Sequence, residues 1–211
     1  LKRFLDASRD TEAQAPTLVY LDEDDPALGE YRKINYPPWW TVHMGHPVGL
    51  GGVYKWVFET FPNAAYYGFL GDDLIPRTKH WDKQLVEAAG ASDISYGDDD
   101  HWGEKLATHP CIGGDLVRHM GWLCYPGLKK LFIDTVWMTI GVTLGKLHYL
   151  PDVKLEHMHY LFGKGEHDET YGDQAKFYAD DEVYYRKFMH EWGGVLEESG
   201  KWVFSEKDTT L

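Results

Sequence analysis

Ala65-Tyr66-Tyr67-Gly68-Phe69-Leu70-Gly71-Asp72-Asp73-Leu74-Ile75-Pro76 decides the reading of this chain. An apolar, aromatic run of strand length feeds straight into a glycine and two aspartates. Pro76 closes the segment, and a helical pattern follows over 79–89, stopped by Gly90. A buried strand that delivers carboxylates to a sheet edge suits a hard divalent cation, because Mg²⁺ and Mn²⁺ take oxygen ligands and keep positions open for phosphate oxygens. Gly71 leaves room for a ligand close to the main chain. The same two acids also fit a solvated surface turn.

Working outward, residues 17–21 form a short apolar run after Pro16 and end in Asp22-Glu23-Asp24-Asp25-Pro26, a strand followed by a turn. A second strand is expected over 39–44. Gly49-Leu50-Gly51-Gly52 then opens a helix over 53–61, ended by Pro62-Asn63. Further strands are expected at 93–96 and 153–158, and helices at 115–124, 134–146 and 173–192. Asp115 and Asp134 stand where N-caps are expected. Strands alternating with helices predict an α/β fold with a mainly parallel central sheet, in one domain spanning 1–211 with a helical C-terminal extension over 173–211. Ligands of such sheets sit outside the carboxyl ends of the strands, where three acid clusters fall: 22–25, 72–73 and 98–100. Residues 1–8 read as an amphipathic helix already under way, so a strand is expected ahead of Leu1.

The 211 residues carry a formal net charge of −13, which argues against a broad nucleic-acid-binding surface. Lys105, Arg118, Lys129 and Lys130 come nearest to a local basic patch; scattered surface charge explains them equally well. Nine Trp and fourteen Tyr supply core, and also suit stacking on bases or sugars. Cys111 and Cys124 make no disulfide framework and no zinc spacing. No apolar run reaches membrane-spanning length, and a reducing cytoplasm is the expected compartment.

Four more constellations carry possible chemistry. Leu155-Glu156-His157-Met158-His159 puts His157 and His159 on one side of an extended segment, where either can give a nitrogen ligand to a metal. Asp134, in Phe132-Ile133-Asp134-Thr135-Val136-Trp137, fits a helix cap or a general base. Gly49-Leu50-Gly51-Gly52-Val53-Tyr54-Lys55 is a glycine-rich helix start that can receive an anion, although it lacks the dinucleotide and P-loop patterns. Tyr96-Gly97-Asp98-Asp99 matches a polymerase metal motif in a chain too short for a polymerase.

In order and spacing, these pieces resemble the GT-A glycosyltransferases of the family 2 type, and more narrowly the small transferases encoded by bacteriophages. The resemblance covers about residues 1–175 and continues through Gly163-Lys164 and Asp168-Glu169-Thr170-Tyr171. It implies that Asp73 ligates Mn²⁺ or Mg²⁺ with Asp72 near it, and that His157 or His159 is a late ligand. It implies that Asp134 is the catalytic base. It places Asp22, Asp24, Gly49, Gly51, Gly52, Lys55 and Gly71 toward the nucleotide donor, and Asp98, Asp99 and Trp137 toward acceptor or donor sugar. Gly71 stands where the family carries its first metal-motif aspartate, and Tyr160-Leu161-Phe162 stands where a proline is usual. The implied reaction moves a sugar from a nucleoside-diphosphate sugar, UDP-linked by preference, to an acceptor hydroxyl with inversion. The acceptor is a hydroxymethylated DNA base or a glycan. A nucleotide-sugar-binding module without transfer, and a metal-dependent phosphohydrolase, are the alternatives.

Overall fold

Hydrophobic patterning places most of the elements. The computed structural model describes residues 1–159, 163–164 and 174–199. Helix α1 (Lys2–Asp10) turns Phe4, Leu5 and Ser8 inward, and strand β1 (Thr17–Asp22) follows. A short α2 (Leu28–Tyr31) leads to β2 (Trp40–Gly45) and α3 (Gly49–Thr60). Next come β3 (Tyr66–Gly68), β4 (Leu74–Pro76), α4 (Trp81–Ala89) and β5 (Ile94–Asp98). A 3-10 turn (Gly103–Lys105) precedes β6 (Cys111–Gly113) and α5 (Gly114–Met120). Helix α6 (Ile133–Leu144), β7 (Leu147–His157) and α7 (Gln174–Ser199) complete the described chain.

The fold is mixed α/β, and the sheet departs from the mainly parallel expectation. Strands β1 and β2 form a separate parallel pair, and the five-stranded sheet runs β3-β6-β5-β7-β4. Within it only β5 and β7 are parallel; β3–β6, β5–β6 and β4–β7 are antiparallel. The reason lies in the connections. Between β5 and β6 the chain returns through a 3-10 turn with no crossover helix, and only an antiparallel pairing can be closed that way. Strands β4 and β6 have three residues each, too few for a readable alternation.

Among the described residues, the two larger of three apolar clusters flank the sheet. One gathers Phe4, Leu5, Val19, Trp40, Leu74, Trp81, Leu85 and Leu155 beneath α1 and α4. The other gathers Tyr67, Phe69, Ile112, Leu123, Trp137, Ile140 and Phe188 beneath α5, α6 and α7. Trp137 is fully buried there, with its indole N–H donating to the Leu123 carbonyl at 2.8 Å. It is a core residue and does not face a sugar.

Neither expected cap forms. The cap positions are held by Gly113 and Phe132, and Asp115 and Asp134 lie inside their helices. Phe132 adopts a left-handed conformation, φ 62°, which costs a non-glycine residue about 1–2 kcal/mol. Its ring stacks on Tyr185 at 4.7 Å, which offsets that cost. Helix α3 starts four residues earlier than expected, so the glycines at 49, 51 and 52 form its first turn. Gly51 is there for packing: a Cβ would stand 2.1 Å from the Leu128 carbonyl oxygen, and its own N–H donates to the Lys129 carbonyl at 2.8 Å. The 129–131 loop is fixed from its other side by buried Asp181 on α7, whose carboxylate accepts the amides of Lys129, Lys130 and Leu131. Residues 160–162 and 168–171, and the far end of the C-terminal extension, lie outside the described residues.

Candidate metal centre

The antiparallel pairing of β4 with β7 sets Leu74 opposite His157, and the Met158 amide donates to the Asp73 carbonyl at 2.9 Å. Asp73 and His157 therefore meet, with His157 Nε2 at 3.0 Å from Asp73 Oδ2. A third side chain arrives from the start of β6. The Phe69 amide donates to the Pro110 carbonyl at 3.1 Å, which brings His109 beside Gly71. Asp73, His109 and His157 each offer a ligand atom, and those atoms lie within 4.8 Å of one another, a group able to hold a metal ion. His109 is absent from the sequence reading because nothing around Thr108-His109-Pro110 forms a motif.

The site is preorganised from behind. His109 Nδ1 is 3.1 Å from the Thr108 hydroxyl, which donates onward to Asp99 Oδ2 at 3.2 Å. That arrangement keeps the proton of His109 on Nδ1 and leaves Nε2 bare toward Asp73, the tautomer a metal ligand needs. Burial, then the charge of His157, hold the His109 pKa down to about 3, so the ring is neutral at physiological pH. Asp99 also accepts the amides of His101, Trp102 and Gly103 on Oδ1, and its carbonyl accepts the His157 amide at 3.1 Å. Asp99 is 2 % exposed. It thus holds both histidines and is a positioning residue rather than one that faces a substrate. Asp99→Ala is expected to weaken metal binding by about 10- to 100-fold, read by titration with Mn²⁺; unchanged affinity would refute this role.

The remaining expected site residues sort by position. Gly71 sits against the centre: a Cβ there would come 2.4 Å from Asp73 Oδ1 and 3.6 Å from His109 Nε2, so a side chain would press on the ligand carboxylate. Asp72 points away, 71 % exposed, beside Leu1. His159 stacks edge-on against His157 with centroids 5.2 Å apart, and stands outside the three-residue group. Asp98 is paired with Lys154 and accepts the Asp100 amide at 2.8 Å, which turns it from the centre. Lys55 is exposed, 3.8 Å from Glu59 on its own helix, and has no part in the site. Of the basic residues, Lys129 pairs with Asp180 and Arg118 with Asp115, so they form no common patch. Burial pushes both free cysteine thiols up to about 12, which makes them poor nucleophiles.

Gly71 and His109 also line a cavity of about 1260 Å³ that extends between β1 and β3. Asp22, Asp25 and Asp72 put acidic residues on its lining, together with Gly49 and Lys129. Burial first, then Asp24 and Asp25, raise the Asp22 carboxyl above the usual range. Asp24 itself is exposed. Asp134 retains some surface, yet its carboxyl is raised by burial, opposed by hydrogen bonds from Thr135 and by the charge of His157. Thr135 supplies its amide at 2.7 Å and its hydroxyl at 3.3 Å. A carboxyl whose pKa is raised by burial and that feels the charge of His157 is a candidate proton acceptor.

Comparison with known proteins gives no match, whether to family models, to curated proteins or to solved structures. Among the described residues, no helix is long and apolar enough to cross a membrane.

Proposed function

We propose that this chain is a metal-dependent glycosyltransferase that moves a sugar from a nucleoside-diphosphate sugar to an acceptor hydroxyl with inversion. The observation that carries the reading is the Asp73–His109–His157 group, whose His109 lines a large cavity, with the carboxyl of Asp134 close enough to His157 to feel its charge. Two imidazoles and one carboxylate suit Mn²⁺ and its transition-metal neighbours better than Mg²⁺, which prefers oxygen throughout. Three protein ligands leave open positions for diphosphate oxygens. A bound ion supplies neutralisation of the charge that builds on the leaving diphosphate. The protein's own part is to orient and to move a proton. Asp99 and Thr108 hold the ligand rings, Gly71 keeps the approach clear, and Asp134 takes the proton of the acceptor hydroxyl.

The test is a panel of UDP-, GDP- and TDP-sugars incubated with Mn²⁺, with Mg²⁺ and with a chelator, followed by release of nucleoside diphosphate. Mn²⁺-dependent release, accelerated by hydroxymethylated DNA or by a glycan acceptor, supports the reading. Donor binding without release would make the chain a binding module, and free phosphate from simple phosphoesters would make it a phosphohydrolase. Failure of every donor to raise the melting temperature in Mn²⁺ would sink the proposal.

A further inference from the structure

Helix α7 packs by one seam. Tyr178, Asp181, Tyr185 and Phe188 fall on it at helical spacing. At its far end the seam is core, with Phe188 fully buried. Toward Asp134 it opens: Tyr185 is partly buried and Tyr178 is 38 % exposed. Both rings meet Phe132, which stands two residues ahead of Asp134. Tyr185 lies parallel to it with centroids 4.7 Å apart, and Tyr178 leans on it at 5.6 Å and 60°. The Tyr185 phenol, raised in pKa by burial and then by Asp134, is near enough to feel that carboxyl's charge.

Two features set this cluster apart from ordinary helix packing. Phe132 holds φ 62°, a region that bulky residues avoid. Glycine or asparagine would hold it at lower cost, and strained residues gather where a side chain must be aimed. Beneath the rings lies a rigid anchor. Fully buried Asp181 accepts the amides of Lys129, Lys130 and Leu131, and so fixes α7 to the loop that leads into Phe132. The result is a preset ring surface with Tyr178 outermost, beside a carboxyl that keeps some surface of its own.

Such a surface stacks equally well on a nucleobase or on a sugar. Charge decides between them. DNA brings a phosphate at every nucleotide and needs Lys or Arg to meet it. The described cations around the rings are engaged: Lys129 with Asp180, Arg186 with Glu182, Lys187 with Glu191, and Lys130 over the Phe177 ring. Asp180 and Glu182 stand within about one helical turn of Tyr178 and would repel phosphate.

We propose that Phe132, Tyr178 and Tyr185 form the acceptor subsite, and that the acceptor they select is the ring of a neutral carbohydrate rather than a base of DNA. The inference rests on the transferase reading, with Asp134 as the base. The C–H face of a pyranose lies on Tyr178, and a hydroxyl at its rim points to Asp134. Asp134 takes that hydroxyl's proton as the oxygen bonds to the anomeric carbon of the donor sugar. The bond from that carbon to the diphosphate breaks, and its electron pair leaves on the diphosphate.

The experiment uses the 211-residue chain with Mn²⁺, the UDP-, GDP- and TDP-sugars, and two kinds of acceptor. One is a set of methyl glycosides of glucose, galactose, mannose and N-acetylglucosamine; the other is hydroxymethylated DNA, single- and double-stranded. Saturation-transfer NMR reads acceptor binding directly, and transfer assays give KM and kcat. A glycoside is expected to bind through its ring C–H protons and to accept sugar, while DNA does neither. Tyr178→Ala is expected to raise the glycoside KM by about 3- to 10-fold, the worth of one stacked ring, and to lower kcat by less. Tyr178→Phe keeps the ring and is expected to restore the wild-type KM. Tyr178 is exposed, so neither variant threatens the fold. Transfer to DNA at a lower KM than to any glycoside overturns the proposal, as does the absence of any glycoside signal. Donor turnover with a glycoside KM that Tyr178→Ala leaves unchanged keeps the transferase and overturns the subsite. Glycoside contact that Tyr178→Ala weakens, with no donor turned over, supports the ring subsite and removes the transferase reading.

Discussion

Asp134→Asn is expected to cut the turnover number of transfer by about 10³-fold, within the range general-base catalysis supplies, while donor affinity stays within about twofold, because the role proposed for Asp134 lies on the acceptor side. The same change is expected to stabilise the protein at neutral pH. Burial raises the Asp134 carboxyl in the folded state above its ordinary value of 3.8. A carboxyl with a raised folded pKa binds its proton more readily folded than unfolded. The folded state therefore gains stability as the pH falls through the interval between the folded value and 3.8, and at neutral pH it carries a charged group at a cost. Asparagine removes that charge and keeps the shape. Calorimetry at pH 7.5 should show a higher melting temperature for the variant, with the gain disappearing below the ordinary carboxylate range. The wild-type rate should fall on the acid side at a higher pH than an unshifted carboxylate would give. Turnover within tenfold of wild type would remove Asp134 from the mechanism, and a loss of stability at neutral pH would contradict the burial cost.

The second large effect is at the metal centre. Asp73→Asn, His109→Ala and His157→Ala are each expected to lower Mn²⁺ affinity by more than about 100-fold, since loss of even an outer-shell partner costs 10- to 100-fold. His159→Ala is expected to change it by less than about tenfold, because His159 lies beside the group and not in it. His109→Ala discriminates most sharply. A centre built on Asp72, Asp73 and a late histidine would barely notice it, whereas the centre described above loses a ligand. The readout is the Mn²⁺-induced shift in melting temperature, which vanishes when the ion no longer binds. An undiminished shift in His109→Ala would restore the two-aspartate arrangement.

The contrast between Asp73 and His109 marks how far the sequence could be read. Asp73 ends a recognisable apolar run and His157 sits in an alternating segment, so both carry a periodic signal. His109 carries none: it joins the candidate group only because a three-residue strand, Cys111–Gly113, pairs with β3 and β5. The same short strand overturns the parallel sheet. Asp72 and Asp73 are equivalent in sequence, and only the turn geometry separates the ligand from its exposed neighbour. Asp98 and Asp99 repeat the lesson, one drawn to Lys154 and the other turned inward onto three amides. The resemblance sets Trp137 toward the acceptor or donor sugar, and its burial comes from the packing of α6 into the core it shares with α7. Long amphipathic elements were legible; turns and three-residue strands, whose conformation long-range contacts set, were not.

The Asp73–His157 pair spans 84 positions of the chain, and the third candidate ligand, His109, comes from the loop just ahead of β6. No contiguous fragment shorter than that span carries both Asp73 and His157. An opening that parts β7 from β4 would separate Asp73 from His157 and so break up the candidate ligand group, because the strand pairing and that group share neighbouring residues. On the proposed reading, the electron-spin signal of bound Mn²⁺ would report the fraction of the population in which β4 and β7 are paired.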